Sequence, residues 1–93
     1  MSEVQQLVLV TKGDVAVLAD ALGFIKEQSP KKADRKVAAE VMIKLDRIGR
    51  DWDAQVVNKQ ISLKPRELRM IADLRDIYSL DLSPQLKNWF VPR

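Results

Sequence analysis

Ninety-three residues make one domain with room for a single modest core. Hydrophobic residues at 46% and charged ones at 31% give a globular balance, and three glycines and four prolines favour long helices over a many-stranded sheet. The chain has neither histidine nor cysteine. That excludes disulfides and thiolate chemistry, the commonest general base and the commonest metal ligand.

No apolar run approaches the length needed to cross a bilayer, so no membrane association is expected. Met1-Ser2-Glu3 does not open a basic segment running into an apolar one, and cytoplasmic residence is the expectation.

Residues 4–10 end in an aliphatic, β-branched run suited to a strand, although a run this short also fits a helical turn. Thr11-Lys12-Gly13-Asp14 reads as a helix start, with Thr11 capping the free amides and Asp14 answering it three residues on. The first helix is expected from Lys12 to Gln28. Its main stripe is Val15, Leu18, Leu22 and Ile25, with Val17 and Phe24 on the other side.

Ser29-Pro30 marks the next boundary, serine as cap and proline at the first helical position. A long helix is expected from there to about Asn58, with Val37, Val41, Leu45, Ile48, Trp52 and Val56 in steps of three and four. Glu40 with Lys44 and Asp46 with Arg50 are acid-first i,i+4 pairs on its surface. Gly49 is a weak point in it.

Ile61–Lys64 looks extended, and a minimal pairing of 7–10 with 61–63 is compatible with the pattern. Pro65 opens a third helix ending near Tyr78, with Met70, Ile71, Leu74, Ile77 and Tyr78 on its apolar side. Ser83-Pro84 starts a short fourth helix carrying Leu86, Trp89 and Phe90.

The expected fold is therefore all-α, a small helical bundle with three main helices, the middle one longest. One internal match spans an offset of 53 residues: Asp14–Asp20 (Asp-Val-Ala-Val-Leu-Ala-Asp) aligns with Glu67–Asp73 (Glu-Leu-Arg-Met-Ile-Ala-Asp). Two amphipathic helices sharing a period produce such a match without any duplication, so nothing further is drawn from it at this level.

Charge is concentrated. Lys31, Lys32, Arg35 and Lys36 with Asp34 carry a net +3, which is the formal charge of the whole chain. Cations at a helix N-terminus oppose the helix dipole, so this cluster is a candidate anion or nucleic-acid site, with a solvated helix end as the plain alternative. Lys64, Arg66 and Arg69 form a second basic group that would extend it if the two are adjacent. No aromatic residue is interleaved for base stacking.

Asp46, Asp51 and Asp53 fit ion pairing with Arg47 and Arg50 better than metal binding. Without a nucleophile–base set, a glycine-rich phosphate loop or paired carboxylates, no enzyme, cofactor or metal is expected.

Unclaimed apolar surface remains. Ala39, Ile43, Ala54 and Val57 fall opposite the main stripe of the long helix, and Trp89 and Phe90 stand near the chain end. These six are candidates for a subunit or partner interface. The leading expectation is a small non-enzymatic adaptor or regulator that self-associates and binds a protein partner; nucleic-acid binding through the basic helix start is the alternative.

Overall fold

The computed structural model describes residues 5–89. In chain order these form β1 (Gln6–Val10), α1 (Lys12–Gln28), α2 (Lys32–Arg50), β2 (Lys59–Leu63), α3 (Pro65–Tyr78) and α4 (Pro84–Trp89). The protein is mostly helical, but β1 and β2 pair as a two-stranded antiparallel sheet, so the all-α expectation is only approximately met. A pair of strands this short is marginal alone. Here Val8, Val10, Ile61 and Leu63 turn inward and are buried against the helices, whereas Leu7, Leu9, Gln60 and Ser62 form the outer face.

Helices supply the rest of the core: Leu18 and Leu22 from α1, Ala38, Val41 and Leu45 from α2, Ile71 and Leu74 from α3. Leu82 and Leu86 close it from the C-terminal side.

The sheet register gives the 53-residue match a structural counterpart. Val8 faces Ile61, its own equivalent at that offset, while Gln6 faces Leu63 and Val10 faces Lys59. The strands thus pair about a local two-fold through Val8 and Ile61. Burial follows the same offset at Val10/Leu63, Asp14/Glu67 and Leu18/Ile71. Each strand enters its helix through a single residue, Thr11 or Lys64, and each helix buries an acid at its third position.

These two acids anchor the fold. Asp14 is 2% exposed. Its Oδ2 accepts the Thr11 N–H at 3.0 Å and the Ser83 hydroxyl at 2.6 Å, and its Oδ1 accepts the Ser83 N–H at 2.7 Å. Thr11 Oγ1 accepts the Asp14 N–H in return, the capping box expected from the sequence. One side chain therefore caps α1 and holds the turn before α4. Glu67 is fully buried. Its Oε1 accepts the Lys64 N–H at 2.7 Å and the Lys44 ammonium at 2.6 Å, and that ammonium also donates to the Ser62 carbonyl at 2.8 Å. This pair ties α2 to the β2–α3 junction, and Glu40 pairs instead with Arg66 at 3.4 Å. The expected Glu40–Lys44 pair gives way because the Lys44 ammonium finds two acceptors at the β2–α3 junction, the Glu67 carboxylate and the Ser62 carbonyl.

Two boundaries differ from expectation. Ser29 ends α1, its N–H donating to the Ile25 carbonyl, and Lys31 rather than Ser29 is the N-cap of α2. More important for the surface, α2 stops at Arg50 and not near Asn58. The Lys59 ammonium donates to the Ile48 carbonyl at 3.0 Å and the Asp51 carbonyl at 3.4 Å, taking up carbonyls freed at the helix end. It also lies 5.1 Å from the centre of the Trp52 ring. Asp53 Oδ1 accepts the Gln55 N–H, a local turn that replaces a further helical turn.

Candidate interaction surface

Helix α2 buries Ala38, Val41 and Leu45 on one side and turns Lys32, Lys36, Ile43, Asp46, Arg47 and Arg50 to the other. Ile43 stands at the middle of that outward face, 55% exposed. Ala39 beside it is half-buried. Along this face an open groove of about 600 Å³ separates α2 from α1, floored by Ala39 and Met42 and rimmed by Lys26, Asp46 and Arg47. Asp46 is bound by Arg50 through Nε at 3.1 Å and Nη2 at 2.9 Å, the expected i,i+4 pair.

The rest of the expected interface separates from this face. Ala54 and Val57 are exposed, but they belong to the irregular 51–58 connection, so they do not share a helical face with Ala39 and Ile43. The side chain of Trp89 and the whole of Phe90 lie outside the described residues.

The basic residues divide by role. Lys31, Lys32 and Lys36 are exposed at the start of α2, with no side-chain ion pair among the described residues. Arg35 instead donates from Nη1 to the Ser29 carbonyl at 2.7 Å, bracing the α1–α2 turn. Arg66 and Arg69 line a second open groove, about 510 Å³, between α2 and α3. From α2 the groove is lined by Asp34 and Val37, so none of Lys31, Lys32, Arg35 and Lys36 borders it and the two basic groups are not brought into one site. Asp73 lines the same groove, and Arg66 is already paired with Glu40. Lys64 is half-buried, at the N-cap of α3.

A third surface is not apparent from the sequence alone. Phe24 near the end of α1 and Tyr78 at the end of α3 meet edge-to-face, with ring centroids 6.5 Å apart at 74°. Both are exposed, and Ile77 beside them is 71% exposed, so the C-terminal turn of α3 carries its apolar residues into solvent instead of into the core. Leu7 and Leu9 add an apolar outer sheet face.

Among the described residues, no three or more carboxylates gather as they would around a metal ion, and no helix is long and apolar enough to cross a membrane. The chain matches no protein-family model, no curated protein and no solved structure.

Proposed function

We propose that this protein is a small non-enzymatic adaptor or regulator that self-associates and binds a protein partner. The observation that carries this reading is the distribution of exposed apolar side chains. Ile43 on α2, the Phe24–Ile77–Tyr78 group at the ends of α1 and α3, and Leu7 and Leu9 on β1 occupy separate elements. Scattered single apolar residues are ordinary on a surface, but grouped ones mark contact sites. Separate surfaces suit one copy of the chain and one partner at once. The absence of histidine and cysteine from the sequence leaves few routes to catalysis, which supports a binding role.

Light scattering tests the self-association. Wild-type protein is expected to gain mass between low and high micromolar concentration, and Ile43→Glu to remain a folded monomer. A wild type that stays monomeric to millimolar concentration removes this reading.

Nucleic-acid binding is the second reading, favoured by Lys31, Lys32 and Lys36 at the start of α2, which make no ion pair among the described residues; Arg66 and Arg69 line a separate groove between α2 and α3. Its weakness is the pair of aspartates in that groove. The salt dependence of DNA and RNA binding decides it, since phosphate contacts give a log–log slope of about −0.9 per neutralised phosphate on duplex DNA.

A further inference from the structure

The outward face of α2 has an order that neither its composition nor Ile43 alone conveys. Lys32, Lys36, Ala39, Ile43, Asp46 and Arg50 follow one another in alternating steps of four and three, all within the helix and centred on its solvent side. That is the spacing of a coiled-coil seam, in which side chains of one helix seat between those of another.

We propose that this seam pairs with the same seam of a second copy, antiparallel and about a two-fold axis. This rests on the self-association proposed above and names the face and the geometry.

Charge complementarity selects the arrangement. In the antiparallel alignment that sets Ile43 against Ala39 of the second copy, Lys36 falls opposite Asp46, and each contact occurs twice by symmetry. The middle of the interface is then two layers of isoleucine on alanine, with the small residue leaving room for the branched one. A Lys–Asp layer closes it on either side. The parallel, in-register alternative stacks Lys36 on Lys36 and Asp46 on Asp46, and like charges so placed oppose association. An antiparallel pairing centred on Ile43 itself would set Lys36 against Arg50, again like on like, and leave Asp46 without a seam lysine opposite it.

Local geometry agrees. The groove between α1 and α2 lies on the Ala39–Asp46 side of the seam, floored by Ala39 and Met42, where the incoming Ile43 would seat. Asp46 spends its Oδ2 on Arg50, and Oδ1 accepts no hydrogen bond among the described residues. The outermost layer sets Lys32 against Arg50, so the contact is confined to the central turns. A contact of this extent belongs with the small interfaces typical of transient complexes.

Two opposite charge reversals test this. In Lys36→Glu alone both flanking layers set acid against acid, and in Asp46→Lys alone both set lysine against lysine. Each variant should dimerise about tenfold more weakly than wild type, taking each exposed pair at about 0.5–1 kcal/mol. Mixed in equal amounts, the two variants form a heterodimer in which the two substituted side chains, now of opposite charge, face each other across one layer. The other layer keeps its original Lys36 and Asp46, so both are complementary again. Sedimentation velocity on the mixture should recover wild-type association, and circular dichroism checks that each variant is folded. Should Asp46→Lys fail to fold through its clash with Arg50, Asp46→Asn replaces it. The Lys36→Glu and Asp46→Asn mixture should then associate more tightly than Lys36→Glu alone. A wild type that dimerises while the mixture stays as weak as its components overturns the seam and leaves self-association to another face. A wild type that never dimerises overturns both.

Discussion

Replacing Asp14 by alanine removes the acceptor on which two distant parts of the chain converge. Three donors point at its carboxylate, the Thr11 N–H, the Ser83 N–H and the Ser83 hydroxyl, at 2.6–3.0 Å. Hydrogen bonds to a charged group contribute roughly 1.5–3 kcal/mol each, and a buried donor left without a partner costs about 1–3 kcal/mol. The three are not additive, because the Ser83 hydroxyl can turn to another acceptor and water can enter the small space left by the side chain. About 3–5 kcal/mol is therefore the expected loss. A chain of this size has a total stability of roughly 5–14 kcal/mol, so urea denaturation followed by circular dichroism will show the change as a large fall in midpoint. Asp14→Asn keeps one acceptor oxygen and should lose about half as much. Ser83→Ala removes only the hydroxyl, since its N–H bond survives, and should cost about 1–2 kcal/mol. An Asp14→Ala loss below about 1 kcal/mol, the value of a simple helix cap, would falsify the claim that this carboxylate joins α1 to the α4 turn.

Other expectations follow from the same structure. Replacing Lys31, Lys32 and Lys36 by glutamine should leave the melting temperature unchanged or slightly raised, because these cations oppose the α2 dipole; Arg35→Gln should lower it through loss of the bond to the Ser29 carbonyl. Thermal melts separate the two. If the lysines contact phosphate, the triple variant will also show a flatter salt dependence of DNA binding. Ser79 ends α3 with φ 49° and ψ 49°, a left-handed conformation that glycine adopts without strain. Ser79→Gly should raise stability by about 0.5 kcal/mol and Ser79→Val lower it, as denaturant midpoints will show. Lys59→Met should destabilise the α2 end by about 1–2 kcal/mol and shift Trp52 fluorescence, since it removes both the carbonyl contacts and the cation over the ring.

Local chemistry makes much of the fold readable. Thr11 with Asp14 sets the start of α1, and Pro65 the start of α3, because caps and proline act within one turn of the chain; both helices run over the spans expected. The strand pairing is visible in the sequence only as an option, since the four-residue aliphatic run Leu7–Val10 does not by itself choose between strand and helix. The end of α2 departs from expectation for a non-local reason. Trp52 and Val56 continue the helical period, yet the Lys59 ammonium takes the terminal carbonyls and the chain turns away. Ala54 and Val57 are thereby removed from the face that periodicity would have them share with Ile43.

The burial of Asp14 and Glu67 is equally hidden, because it depends on Ser83 and Lys44, far along the chain. For the candidate surface, Ile43 and Ala39 are legible from periodicity alone, whereas the exposure of Phe24, Ile77 and Tyr78 emerges only once α1 and α3 have packed.

The self-association surface is tested most directly by the concentration dependence of mass for wild type and Ile43→Glu, measured by sedimentation equilibrium from about one micromolar to one millimolar. Wild type should pass from monomer toward dimer within that range, with Ile43→Glu remaining monomeric and equally well folded. Wild type and variant with the same mass throughout would contradict the assignment of the α2 face as the self-association surface.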